Sequence, residues 1–228
     1  MSVAGVDELK QPLTERIHRQ LRDDILHARL LPGQTVLEPE LAAQFGVSKT
    51  PVREALRLLV QDGWVIVLPR KGYLIRPLGL DDLREVFHLR EMLEPEFAAE
   101  AAWRFARRAD DNGIGAAVSA QRSAKDDLDL ALTGAADFHI RIAEMGGNAR
   151  GARIVANLVD EVTRLHYLMP SLEAHIKSRD ELDAHERIAT AIRSGSQREA
   201  SRAMRDHLRA TDRALVDVFG VPRRTARA

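Results

Sequence analysis

Apolar residues recur every three to four positions along most of this chain, and only one stretch alternates instead. In LTERIHRQLRDDILHARL, Leu13, Ile17, Leu21 and Ile25 stand four apart, which predicts one face of a first helix. Pro32-Gly33 stops it. EPELAAQF predicts a short second helix with Leu41, Ala42 and Phe45 inward, ended by Gly46. A third helix is expected from about Lys49 to Asp62, with Val52, Ala55, Leu56, Leu59 and Val60 at i, i+3, i+4, i+7 and i+8. Ser48 stands at its N-cap, and Pro51 sits in the first turn, where a missing N–H costs nothing. Gly63 closes the helix. WVIVLP and YLIRPL then read as two strands joined by the tight connection RKG.

From Leu80 onward only helical periodicity remains. It falls into six segments: 81–108, 112–126, 128–145, 148–169, 174–194 and 197–219. The breaks are Asn112-Gly113, Gly146-Gly147-Asn148, Met169-Pro170 and Ser194-Gly195. The expected fold class is mostly α, with an N-terminal winged helix-turn-helix followed by an all-α six-helix bundle. The expected boundaries are a flexible N-terminus at 1–8, the winged module at 9–77, the bundle at 78–219 and a basic tail at 220–228.

Composition narrows the function classes. The 228 residues suffice for two cored domains. There is no Cys, which removes disulfides, thiolate nucleophiles and Cys metal sites. The 34 basic and 34 acidic residues cancel, which argues against binding of nucleic acid over the whole surface and leaves room for a local basic face. No run approaches 18 apolar residues, and MSVAGVDELK lacks the pattern of a signal peptide, so a soluble cytoplasmic protein is expected.

The third helix offers the local face. Thr50, Arg53 and Arg57, at i, i+3 and i+7, lie opposite its apolar stripe. The second helix of a helix-turn-helix enters the major groove, where Arg forks onto guanine or clamps phosphate. The hydroxyls of Ser48 and Thr50, with the backbone N–H groups at the helix start, suit phosphate oxygens. Arg70 and Lys71 stand at the wing tip. The plainer alternative is a solvated surface helix, with Arg53 paired to a neighbour such as Glu54.

The bundle carries three histidines in apolar stripes of three different helices. His139 stands beside Phe138 and Ile142; His185 lies with Leu182, Ile188 and Ile192; His207 lies with Met204 and Thr211. A single imidazole in such a stripe is usually a hydrogen-bonded core residue. Three on separate helices allow convergence, and neutral imidazoles converging in a bundle are ligands for Zn²⁺ or Ni²⁺. Arg90 shares a stripe with Leu83, Phe87 and Phe97 and needs a partner there. Either it pairs with Glu94 one turn on or it clamps an anionic ligand, and the two roles can coexist.

At these residues the chain resembles a known family. LLPGQTVLEPELAAQFGVSKTPVREALRLLVQDGWVIVLPRKGYLIRPL resembles the winged-helix domain of GntR transcription regulators, and GVSKTPVREAL resembles its recognition-helix signature. The resemblance implies DNA contacts at Ser48, Lys49, Thr50 and Arg53, and a wing marked by Gly72. It departs at Pro39, where many members carry Arg. LREVFHLREMLEPEFAAEAA, DFHIRIAEMGGN, HERIATAI and AMRDHL are similar to landmarks of the FCD ligand-binding domain in its shorter, VanR-like branch.

That resemblance implies a divalent metal, Zn²⁺ foremost with Ni²⁺ or Mn²⁺ as alternatives, held by His139, His185 and His207. It also implies a small organic acid bound at or beside the metal. Arg90, Glu94, Asn148 and His166 are the candidate effector contacts. The family's Asp ligand precedes the first His by one turn, and Ala135 stands there instead; Asp137 falls on another side of the helix, and His166 is a ligand the site could borrow. The function so implied is a homodimeric regulator, a repressor by family habit, that binds operator DNA under control of a small carboxylate. The alternative is a metal-dependent hydrolase or lyase built on the three His. Against it, HERIA begins like H-E-x-x-H but has Ala189 in place of the second His. A third option is a bundle that serves only protein assembly.

Overall fold

In the computed structural model, described for residues 11–124 and 127–218, the chain divides into two units, Met1–Leu78 and Gly79–Ala228. The expected flexible N-terminus at 1–8 and the basic tail at 220–228 lie outside the described residues.

In the first unit, α1 (Leu13–Leu26) turns Ile17, Leu21 and Ile25 into the core. Leu13, expected inward, is exposed. The helix stops before the sequence pattern does. Ala28 takes a left-handed conformation (φ 55°), and the Leu30 N–H bonds back to the Asp24 carbonyl at 2.9 Å. Then follow α2 (Glu38–Phe45), closed by Gly46 at φ 65°, and α3 (Lys49–Gln61), which buries Val52, Ala55, Leu56 and Leu59. Strands β2 (Val65–Leu68) and β3 (Gly72–Ile75) form the expected antiparallel hairpin.

A further strand was not legible in the sequence. β1 (Thr35–Val36) pairs with the other edge of β3, giving the order β1-β3-β2. Two residues are too few to show an alternation. Gly72 permits the pairing: its φ is +94°, and a Cβ there would lie 2.5 Å from the Val36 carbonyl oxygen. The core joins Ile17, Leu21 and Ile25 to Val52, Leu56, Leu59, Trp64 and Ile75. Each such side chain contributes roughly 1.5–3 kcal/mol of burial energy.

The second unit holds α4 (Leu80–Arg108), α5 (Ile114–Ser123), α6 (Leu128–Met145), α7 (Ala149–Leu168), the one-turn α8 (Glu173–Ile176), α9 (Arg179–Arg193) and α10 (Gln197–Val218). A 3₁₀ turn at Pro170–Leu172 precedes α8. α4 packs along α10 and also meets α6, α7 and α9. Ala98, Ala101 and Ala102 of α4 admit Met204 and Leu208 of α10 closely, and Phe138, Ile142, Ile188 and Ile192 complete the core.

Two expected segments differ. The segment read as 112–126 is shorter, and residues 125–126 lie outside the described ones. The segment read as 174–194 is broken at Ser178, whose side chain caps α9 by accepting from the Glu181 N–H at 3.1 Å. In α9 it is Glu181 that is buried, while Leu182, placed in the stripe by periodicity, is only half-buried.

Candidate functional site

Ser48, Lys49, Thr50, Arg53 and Arg57 are all exposed along one side of α3. Ser48 occupies the N-cap position with an extended backbone, yet its hydroxyl makes no capping bond. The first N–H groups of the recognition helix and this hydroxyl are therefore available to a phosphate. Arg53 is paired, but with Glu38 of α2 rather than Glu54. Its Nε donates to both Glu38 oxygens at 3.0 Å, and Nη2 donates to Oε2 at 2.7 Å. Tyr73 of β3 donates its hydroxyl to the same carboxylate at 3.0 Å. The bond from Arg53 is the main reason the Glu38 carboxyl lies below the usual range. Glu54 instead accepts from Thr14 at 3.0 Å.

At the wing, the Lys71 N–H bonds to the Leu68 carbonyl at 3.0 Å, closing a four-residue turn. Pro69 takes its second position, and Arg70 its third, at φ 64°. A turn of this kind favours Gly or Asn at that third position, so the long cation is held at the tip at a conformational cost.

In the second unit, the three stripes converge. His139 (α6), His185 (α9) and His207 (α10) are all buried, and one ring nitrogen from each lies within 4.8 Å of the others. His207 Nε2 is 3.3 Å from His185 Nε2 and 3.3 Å from His139 Nε2. That spacing is about the ligand–ligand edge of a tetrahedral site with Zn–N bonds near ~2.0–2.1 Å.

The outer nitrogens fix the tautomers. His139 Nδ1–H donates to Glu94 Oε2 at 2.5 Å, and His185 Nδ1–H donates to Gln121 Oε1 at 2.7 Å. A carboxylate accepts only, so the Nε2 of His139 carries its lone pair inward. Gln121 turns its amide N–H toward the Ile176 carbonyl at 3.5 Å, which points its oxygen at His185. Gly134 of α6 makes room for this, since a Cβ there would lie 2.7 Å from the Gln121 nitrogen. Burial holds all three imidazoles below their ordinary pKa, most strongly His185 and His207, and keeps them neutral. Neutral, oriented and converging imidazoles fit a divalent metal.

Arg90 and Glu94 stand behind the cluster. Arg90 Nε donates to Glu94 Oε1 at 2.5 Å, and both are almost fully buried. Burial would raise the Glu94 carboxyl, but Arg90 and then His139 outweigh it and hold it at about 2. A cavity with about 390 Å³ of empty space, counting its open mouth, lies beside the cluster. Arg90, His139, Thr163, His166, His175, Glu181, His207 and Thr211 supply its polar lining, and Leu132, Ala135, Val159 and Val162 part of its apolar wall.

The comparisons with known proteins agree with this division. The model for bacterial regulatory proteins of the gntR family matches residues 13–75, and the FCD domain model matches residues 85–210. The chain belongs to the GntR family of transcription regulators. It is 32% identical over 200 residues to an HTH-type transcriptional regulator in an unstable DNA locus of Streptomyces ambofaciens, covering 85% of this chain and 81% of that one. It is 34% identical over 92 residues to the HTH-type transcriptional repressor RspR of Escherichia coli K12, a match that spans only 40% of each chain. In fold it is similar to E. coli McbR/YncC, with a TM-score of 0.77 at 20% identity over 92% of this chain and 99% of the other.

The matching family model and both curated relatives are described as regulators, which speaks against the hydrolase or lyase alternative. The geometry of this GntR regulator agrees: Glu186, the acid of the partial H-E-x-x-H pattern, pairs with Arg122 at the surface. Among the other expected site residues, Asp137 faces Arg141, as its place on the helix implied. Asn148 lies outside the cavity lining; it caps α7, its side chain accepting from the Gly151 N–H at 3.1 Å. His166 lines the cavity but stands apart from the three-His cluster. Glu181, His175 and Thr163 of the cavity lining, and Gln121 behind His185, escaped the sequence reading. Glu181 was detectable, since it precedes His185 by one helical turn. It lies 3.5 Å from His185 Nε2 and 3.5 Å from His175 Nε2. Burial raises its carboxyl to about 7. No helix among the described residues is long and apolar enough to cross a membrane.

Proposed function

We propose that this regulator is a homodimeric repressor whose affinity for operator DNA is set by a small carboxylate bound in the FCD cavity, with a divalent metal, Zn²⁺ foremost, held by His139, His185 and His207. The observation that carries the reading is the convergence of three neutral imidazole nitrogens, 3.3 Å apart in two of their pairs, beside a cavity lined by His139, His207 and Arg90. When bound there, the metal supplies a Lewis acid for an anionic oxygen. Glu94 and Gln121 hold two of the rings in the ligating tautomer. Arg90 commits its Nε to Glu94, and its terminal nitrogens serve the acid's carboxylate. In place of the family's Asp stands Ala135 on the cavity wall, and Glu181 brings a carboxylate 3.5 Å from the inner nitrogen of His185.

On the DNA side, Ser48, Lys49 and Thr50 contact phosphate at the start of α3, and Arg53 and Arg57 reach the major groove. Arg70 and Lys71 reach the backbone from the wing, and Gly72 keeps that wing paired to β1. Leu89 and Met92, exposed one turn apart on α4, supply apolar surface for a second copy. The acid acts by binding one arrangement of the dimer better than another, which shifts the population that fits two half-sites. The test is selection of a duplex from random DNA by the purified chain, followed by binding to that duplex with and without an acid library. Salt-dependent binding that at least one acid changes supports the reading; binding that no acid alters sinks its regulatory half.

A further inference from the structure

The α7 wall of the cavity offers hydrogen-bond acceptors and no donor. His166 is 3% exposed, and its Nδ1–H donates to the Val162 carbonyl of its own helix at 2.9 Å. A carbonyl only accepts, so the proton stays on Nδ1 and Nε2 presents a lone pair. That Nε2 is buried without a hydrogen-bond partner, in a side chain that lines the cavity. One turn earlier on the same wall, Thr163 donates its hydroxyl proton to the Val159 carbonyl at 3.0 Å, which leaves its oxygen as an acceptor as well. Burial holds the His166 ring at a pKa of about 4, so protonation does not turn Nε2 into a donor at neutral pH. A simple carboxylate, which is itself only an acceptor, leaves this wall unsatisfied.

We infer that the effector is a hydroxycarboxylate: its acid group meets Arg90 and the histidine cluster, and its hydroxyl donates to His166 Nε2, with Thr163 Oγ1 as a second acceptor. This rests on the reading of the cavity as a site for a small acid. Leu132, Val159 and Val162 enclose the carbon skeleton between the two polar ends.

The test is calorimetry on the full chain with its own metal content, using three pairs that differ by one hydroxyl: glycolate and acetate, lactate and propionate, malate and succinate. Each is titrated into wild type, His166→Phe and His166→Gln. In at least one pair the hydroxy acid is expected to bind about tenfold tighter or more, since a buried acceptor left unpaired is what penalises the other member. His166→Phe brings that pair to within about twofold by removing the acceptor, whereas His166→Gln, which keeps an acceptor oxygen, retains the preference. Equal affinities in every pair overturn the inference and leave the acid-site reading standing. A preference that survives in His166→Phe also overturns it, because the hydroxyl is then read at the histidine cluster. Failure of all six acids to bind at millimolar concentration overturns both readings. Should His166→Phe not fold, the wild-type ratios and the Gln variant still decide the outcome.

Discussion

His139 Nδ1 lies 2.5 Å from Glu94 Oε2, across 45 residues of sequence and between two helices, and the other Glu94 oxygen is held by Arg90 at 2.5 Å. One buried carboxylate thus neutralises a cation and orients a ligand. Glu94→Gln leaves the Arg90 charge uncompensated in the interior, and breaking a buried pair in this way costs about 3–5 kcal/mol. The same change loosens the His139 ring, for which loss of an outer partner lowers metal affinity by roughly 10–100-fold. Urea unfolding checks the first effect, and zinc competition against a chromophoric chelator checks the second. Stability within about 0.5 kcal/mol of wild type would show that the pair is not coupled to folding as its burial requires.

Removing one inner ligand separates metal from fold. Tag-free wild-type protein is expected to hold near one Zn, Ni or Mn per chain by elemental mass spectrometry, and His185→Ala is expected to lose it. The exchange also opens a cavity beside Phe138, on which the His185 ring stacks at 4.2 Å, so about 2–4 kcal/mol of stability goes with it. A metal-free wild type, even after soaking, would mean that Arg90 and the polar lining recognise the effector alone.

In the first unit, Glu38 holds Arg53, which the proposed function makes a DNA contact. Arg53→Ala is expected to weaken specific operator binding by about 1–3 kcal/mol and relax preference at one base position, if the fork reads a base edge. Lys49→Ala should instead weaken binding to all sequences alike and lower the salt slope by about one. Glu38→Gln removes the carboxylate charge that holds Arg53 and should tighten nonspecific binding while blunting sequence preference. Fluorescence anisotropy across a salt series, on operator and scrambled duplexes, separates the three.

Acid should loosen the bundle through His166. Its ring titrates near 6.5 when unfolded and is held at about 4 by burial, with His175 and Arg90 acting in the same direction. The folded state therefore disfavours the proton. The stabilisation is complete above pH 6.5 and is lost as pH falls toward 4, a loss on the order of 3 kcal/mol. Glu181 works the other way: its raised carboxyl, at about 7, favours the folded state as pH falls below neutrality. Urea unfolding of metal-free protein at pH 7.5, 6 and 5 should show a shallower acid loss in His166→Phe and a steeper one in Glu181→Gln. Parallel profiles for wild type and both variants would refute this assignment.

The sequence by itself determined the two-unit layout, the helix-hairpin order of the first unit and the position of each histidine in an apolar stripe. All of these follow from local periodicity, turn residues and burial, which neighbouring residues encode. It also placed Arg90 beside Glu94, since four residues on a helix make one turn. The tertiary structure alone decided which groups meet across elements. That Glu94 serves His139, that Gln121 serves His185 and that Glu38 rather than Glu54 holds Arg53 depends on how separate helices approach, and no spacing along the chain records it. The same holds for β1, whose two residues gain strand geometry only from the edge of β3. Glu181 lies between these cases. Its spacing to His185 was visible, but periodicity assigned the inward position to Leu182, and the break at Ser178 with the packing of α9 turned a carboxylate into the cavity.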